Sequence, residues 1–129
     1  VPKKPTGILK NSRFQISRKY NYVFNIFNNS KTLIIMTKIE SEDNGKKGRF
    51  IIYENDEFAG EMTFTWAGKN KFIIDHTGVE EAFGGKGLAK QLVMAGVDYA
   101  RKHDLKIIPL CPYAKKTFDR DDSLSDVLA

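Results

Sequence analysis

Cysteine is almost missing from this chain. Cys111 stands alone among 129 residues, which excludes an internal disulfide framework and a cysteine-built zinc cluster. A lone thiol fits a reducing compartment, so a cytoplasmic location is expected, with no metal. Long apolar runs are missing too. The longest, Leu33-Ile34-Ile35-Met36, falls far short of the ~20 residues of a membrane-spanning helix, so no membrane partner is expected. Apolar residues are not scarce overall: 41% of the chain is hydrophobic and 12% aromatic, enough for one packed core. The length fits a single small domain.

Acidic residues are absent from one region. Residues 1–35 hold seven basic residues (Lys3, Lys4, Lys10, Arg13, Arg18, Lys19 and Lys31) and no acidic one. The rest of the chain holds the other 14 basic residues and all 16 acidic ones, a balance of −2. The net charge of +5 therefore belongs to a basic leader and not to the body. That balance counts against nucleic acid as a partner of residues 36–129. Three readings of the leader compete. It is a disordered arm for anionic partners, or an organelle transit peptide, or a non-native segment whose Asn, Lys, Ile, Phe and Tyr resemble translated AT-rich DNA. The third is preferred, and the fold is read from Met36 onward.

In the body, residues 41–48 read as a polar loop or hairpin turn. Strands follow at 49–54, 60–66 and 71–79, separated by short turns, as in an antiparallel meander. Met62, Phe64 and Trp66 alternate toward a core. In the third strand Phe72, Ile74 and His76 share one face, with Ile73, Asp75, Thr77 and Val79 on the other. The period then changes. Leu88, Leu92, Val93, Tyr99 and Ala100 recur at helical spacing up to about residue 103. Gly96 interrupts this helix at a cost of ~1 kcal/mol against Ala, and lets it sit close to the sheet. A short strand at 106–110 and a short helix at 112–118, opened by Pro112, complete the pattern. The fold class is α+β: a mostly antiparallel sheet, a long helix after the third strand and a short C-terminal helix.

The densest chemical signal is a strand, a glycine turn and a helix: Asp75-His76-Thr77-Gly78-Val79, then Gly84-Gly85-Lys86-Gly87-Leu88-Ala89. Glycines let backbone approach a ligand, and free amides at a helix start favour an anion. Lys86 can add positive charge. The run is not a Walker loop, because no Gly-Lys-Ser/Thr ends it, and not a dinucleotide fingerprint, because Lys90 stands where a third small residue belongs. On spacing alone, a plain glycine turn feeding a helix is the preferred reading.

The run resembles the acyl-CoA signature of the GNAT superfamily of N-acyltransferases, Arg/Gln-x-x-Gly-x-Gly/Ala. Four ordered blocks are similar to a subfamily of very small GNAT-like proteins: Gly60-Glu61-Met62-Thr63-Phe64, Asp75-His76-Thr77, Gly84-Gly85-Lys86-Gly87 and Ile108-Pro109-Leu110-Cys111-Pro112-Tyr113-Ala114-Lys115. They span about residues 48–127. Gly84 departs from the wider signature by replacing its Arg or Gln. The resemblance implies a minimal GNAT-like fold and acetyl-CoA as acyl donor. Thr77 and Val79 are expected to hold the pantetheine arm through their main chain. The amides of Gly84, Gly85, Lys86, Gly87, Leu88 and Ala89 are expected to hold the diphosphate. The fourth strand is expected to splay from the third. With no room for the usual acceptor-binding helices, the acceptor site is expected to be open, which suits a protein or peptide amine.

Cys111 is the sharpest catalytic candidate. It lies at the N-cap of the short helix, where the dipole, Lys115 and Lys116 favour a thiolate able to carry acetyl to an amine. A free cysteine also commonly just packs. The alternative is direct attack by the amine, which needs a base, and His76 is the candidate. A hydrogen-bonded core histidine is the competing reading of His76. Asp75 either accepts hydrogen bonds or is solvated, and His103 complements the helix C-terminus. Two activities follow from the resemblance: an acetyl-CoA-dependent N-acetyltransferase, or a non-catalytic acyl-CoA-binding module.

Overall fold

A computed structural model describes residues 20–28 and 31–129, with side-chain surroundings from residue 35 onward. Expectations for residues 1–19, 29 and 30 lie outside the described residues. Six strands form one sheet: β1 (Tyr20–Asn28), β2 (Lys31–Asp43), β3 (Lys47–Glu54), β4 (Glu57–Trp66), β5 (Lys71–Val79) and β6 (Lys106–Pro109). Their order in space is their order in sequence. Every pair is antiparallel except β5 with β6, which is parallel. Helix α1 (Leu88–His103) makes the crossover between those two strands, and α2 (Pro112–Arg120) follows β6. This is the α+β class expected from the sequence.

The turns explain the meander. Asn55 and Asp56 both take positive φ, 51° and 68°, the geometry that matches the twist of a two-residue hairpin. Between β2 and β3, the Asp43 carboxylate accepts the Gly45 amide at 2.6 Å, and the Asn44 side chain accepts those of Lys46 and Lys47. β2 therefore runs on through Ser41 and Asp43, both buried, where the sequence reads as loop.

Strand structure also begins before Met36. β1 and residues 31–35 of β2 pair from Tyr20 with Ile39 to Asn28 with Lys31. Part of the leader thus extends the sheet. Its Tyr, Phe and Ile are good strand formers, and the basic, Asn-rich composition masks them.

One face of the sheet carries both helices. Ile39, Phe50, Ile52, Met62, Phe64, Phe72 and Ile74 are buried there, together with Leu92, Val93 and Val97 of α1. Gly96 permits the close approach: a Cβ at that position would stand 2.9 Å from Met62 Cε. Trp66 differs slightly from its expected core place. It sits at the rim, half-buried, edge-on to Phe64 and Phe72, with its Nε1 donating to the Asp43 carboxylate at 3.4 Å. At its C-terminus α1 has Arg101, Lys102 and His103 in the last turn, and the His103 ring lies 4.3 Å from that of Tyr99.

Candidate functional site

β5 changes character halfway along. Its first four residues are bonded on both sides, to β4 and to β6, where Lys71 to Ile74 pair with Lys106 to Pro109. The amides of Leu110 and Cys111 then close on the Ile74 carbonyl at 3.2 and 2.9 Å. Beyond that point β6 has turned into α2, and residues 75–79 pair with β4 alone. The expected splay of β6 from β5 is not seen: β6 stays paired over its whole length and ends at Pro109, which leaves the edge of β5 beyond Ile74 without a strand partner on that side. The main chain of Thr77 and Val79 lies on that edge.

The same strand is bulged. Thr77 pairs with Met62 and His76 with Thr63, but Ile74 pairs with Phe64, so Asp75 is an extra residue. The bulge reverses the alternation. Thr77 and Val79 come to the helix side with Met62 and Gly60. His76 turns to the open side with Thr63 and is exposed. The expected sharing of one face by Phe72, Ile74 and His76 is therefore wrong, and so is the core-histidine reading. Asp75 is not merely solvated, because its carboxylate accepts the Thr65 hydroxyl at 2.8 Å.

Cys111 is the N-cap of α2 with an extended backbone, as expected, and is only 4% exposed. Its thiol donates to the Thr77 hydroxyl at 3.5 Å, from the helix side of β5. Cys111 and Thr77 are thus brought together, whereas Cys111 and His76 serve opposite faces. Lys115 is directed elsewhere, into an ion pair with Asp119 at 3.1 Å one turn along α2. Leu110 and Tyr113 flank Cys111 in sequence and expose apolar surface.

After β5 a 3-10 turn, Glu81–Phe83, leads into the glycine run. Gly85 and Gly87 take φ of 77° and 79°, conformations that ordinary residues resist. Nothing lies within 4 Å of a Cβ built on either, so the surrounding space is open. The amides of residues 85–90 meet no acceptor among the described residues. Gly84 differs from the expectation, because its amide already donates to the Glu81 carbonyl at 3.1 Å. Leu88 offers its amide while its side chain is anchored in the core, and half-buried Ala89 follows it in the first turn of α1. A row of unpaired amides at a helix start beside open space fits a diphosphate.

Lys86 has a partner that sequence reasoning missed. Its ammonium donates to Glu54 Oε2 at 2.8 Å and lies 5.6 Å from the centre of the Phe83 ring. Glu54, at the end of β3, is 5% exposed. Period two could have flagged it, since Phe50, Ile52 and Glu54 all point toward the core.

The open face carries Glu40 and Glu42 from β2, Glu61 from β4 and Asp75 from β5, together with the cations Lys38, Lys47, Arg49 and Lys71. Burial works against the Arg49 charge, but hydrogen bonds to Glu61 at 2.6 Å and Glu42 at 3.0 Å outweigh it and raise its pKa. Among the described residues no cluster of His, Cys, Asp or Glu is arranged to hold a metal ion, and no helix is long and apolar enough to cross a membrane.

Residues 49–127 match the family model described as GCN5-related N-acetyl-transferase. Protein NATD1 of Danio rerio is 32% identical over 85 residues, covering 65% of this chain and 77% of that protein. Protein NATD1 of Xenopus tropicalis is 36% identical over 55 residues, covering 43% of this chain and 50% of its own. The solution structure of a GCN5-like protein from Staphylococcus aureus superposes with a TM-score of 0.53 at 38% identity, covering 63% of this chain and 80% of that one.

Proposed function

Because the chain belongs to the GCN5-related N-acetyltransferase family, we propose that it moves an acetyl group from acetyl-CoA to an amine acceptor. The observation that carries this reading is the run of unpaired amides at residues 85–90, at the start of the helix that follows β5. Those amides hold the diphosphate. The main chain at residues 75–79 holds the pantetheine arm, and the thioester comes to rest near Cys111, where β6 ends.

The exposed side of the bulge gives the acceptor its approach. The Glu61 and Asp75 carboxylates lie on the same face as His76, where an incoming ammonium would meet them. That open face suits a protein or peptide amine. His76 accepts the proton that the amine must lose. The amine nitrogen attacks the thioester carbonyl, the C–S bond breaks, and the CoA thiolate leaves. The contact between Cys111 and Thr77 supports a second route. There the Cys111 sulfur takes the acetyl group first, releasing CoA, and passes it to the amine in a second step. A cysteine 4% exposed, with a hydroxyl and not a base beside it, favours the direct route. The same observation lends weight to a non-catalytic acyl-CoA-binding module. The lone thiol favours a cytoplasmic setting.

Incubation with acetyl-CoA and a panel of peptide amines, read by mass spectrometry, tests the reading. Amine-dependent CoA release that survives Cys111→Ala supports direct transfer. An acetyl group on Cys111, discharged by added amine, supports the covalent route. Binding without turnover on any amine leaves the binding module as the function.

A further inference from the structure

The glycine run contains one cation, Lys86, and it would ordinarily be counted as a phosphate ligand. The structure gives that charge another occupation. The Lys86 ammonium is 2.8 Å from Glu54 Oε2 and is backed by the Phe83 ring. The Glu54 side chain is 7% exposed and that of Lys86 42%. The other Glu54 oxygen, Oε1, has no partner, and the hydroxyl of Thr37, its cross-strand neighbour, is equally buried and unpartnered. Lys86 is therefore the sole side-chain donor to this carboxylate among the described residues. Were Lys86 to swing onto a phosphate, it would strand a buried, half-satisfied anion, which is far more costly than leaving a solvated ion pair apart.

We infer that Glu54 is a positioning residue that keeps Lys86 off the diphosphate and sets how weakly the amide cradle binds it. The inference rests on the acyl-CoA reading of that cradle. Lys86 stays on Glu54 while ligand is bound. The pair contributes almost no net charge, and the amides of residues 85–90 do the holding. The consequence is moderate affinity and ready departure of free CoA. Removing the Glu54 charge while keeping its shape frees a cation beside two phosphates. The gain in field outweighs the extra freedom of the lysine side chain, because a unit charge acting across a part-exposed site exceeds the cost of one immobilised side chain.

The test is calorimetric titration of the full chain with CoA and, separately, with acetyl-pantetheine, which lacks the diphosphate. Glu54→Gln should bind CoA about tenfold more tightly at low salt, with the gain shrinking as salt rises, and should bind acetyl-pantetheine as the wild type does. Glu54→Asp, which keeps the charge, should show no such gain. Lys86→Met should cost the wild type less than about threefold in CoA affinity, yet abolish the gain in the Glu54→Gln background. Should Glu54→Gln fail to fold, Lys86→Met alone decides: a loss of about tenfold or more would overturn the inference, because Lys86 would then be a phosphate ligand. A wild type that binds CoA beside a Glu54→Gln variant that binds it no better also overturns the inference and leaves the cofactor reading standing. A wild type that takes up no CoA overturns both.

Discussion

The two halves of β5 follow one another in a single strand and behave oppositely. Residues 71–74 are bonded to strands on both sides, and Phe72 and Ile74 are fully buried beneath α1. Residues 75–79 are bonded on one side, bulged at Asp75, and exposed or half-exposed. The first half spends its hydrogen bonds on the fold. The second half has a free edge because β6 stops at Pro109, and the candidates His76, Thr77 and Val79 lie on it, with the Cys111 thiol against Thr77. A single event, the end of one neighbouring strand, leaves the outer backbone groups of the second half without a strand partner.

Breaking the first half should have the largest effect. Phe72→Ala removes a ring in contact with Phe64, Trp66 and Tyr99, and should cost about 3–5 kcal/mol in urea-induced unfolding. A cost below ~1 kcal/mol would mean that this half is not the anchor. In the second half, His76→Gln should leave stability within ~0.5 kcal/mol of wild type, because the side chain is exposed. The same change should lower kcat/KM for amine acetylation about 100-fold. A rate within threefold of wild type would move proton removal away from His76. The smallest effect is expected of Thr77→Val, which takes the acceptor from the Cys111 thiol. Stability should fall by no more than ~1 kcal/mol and CoA affinity should barely change. A large loss of CoA affinity would instead assign the Thr77 hydroxyl to the ligand.

Much of this was legible in the sequence. A run of β-forming residues marked β3, alternation marked β4 and β5, and the change to helical spacing at Leu88 marked α1. Cys111 before Pro112 marked the start of α2. What stayed hidden depends on register and on distant pairing. Nothing local to Phe72-Ile73-Ile74-Asp75-His76 announces that β4 skips Asp75, so the alternation was carried one residue too far and turned His76 inward. The end of β2 looked like loop because Ser41 and Asp43 are polar, although both are buried. The Lys86 to Glu54 pair joins residues 32 apart and exists only once β3 and the glycine run are brought to the same end of the sheet.

Amide chemical shifts recorded while CoA is titrated into the labelled chain test the comparison most directly. Perturbation should concentrate at residues 75–79 and 85–90, with residues 71–74 nearly still. Shifts spread evenly along β5, or absent from the amides at the start of α1, would contradict the division of the strand and the site built upon it.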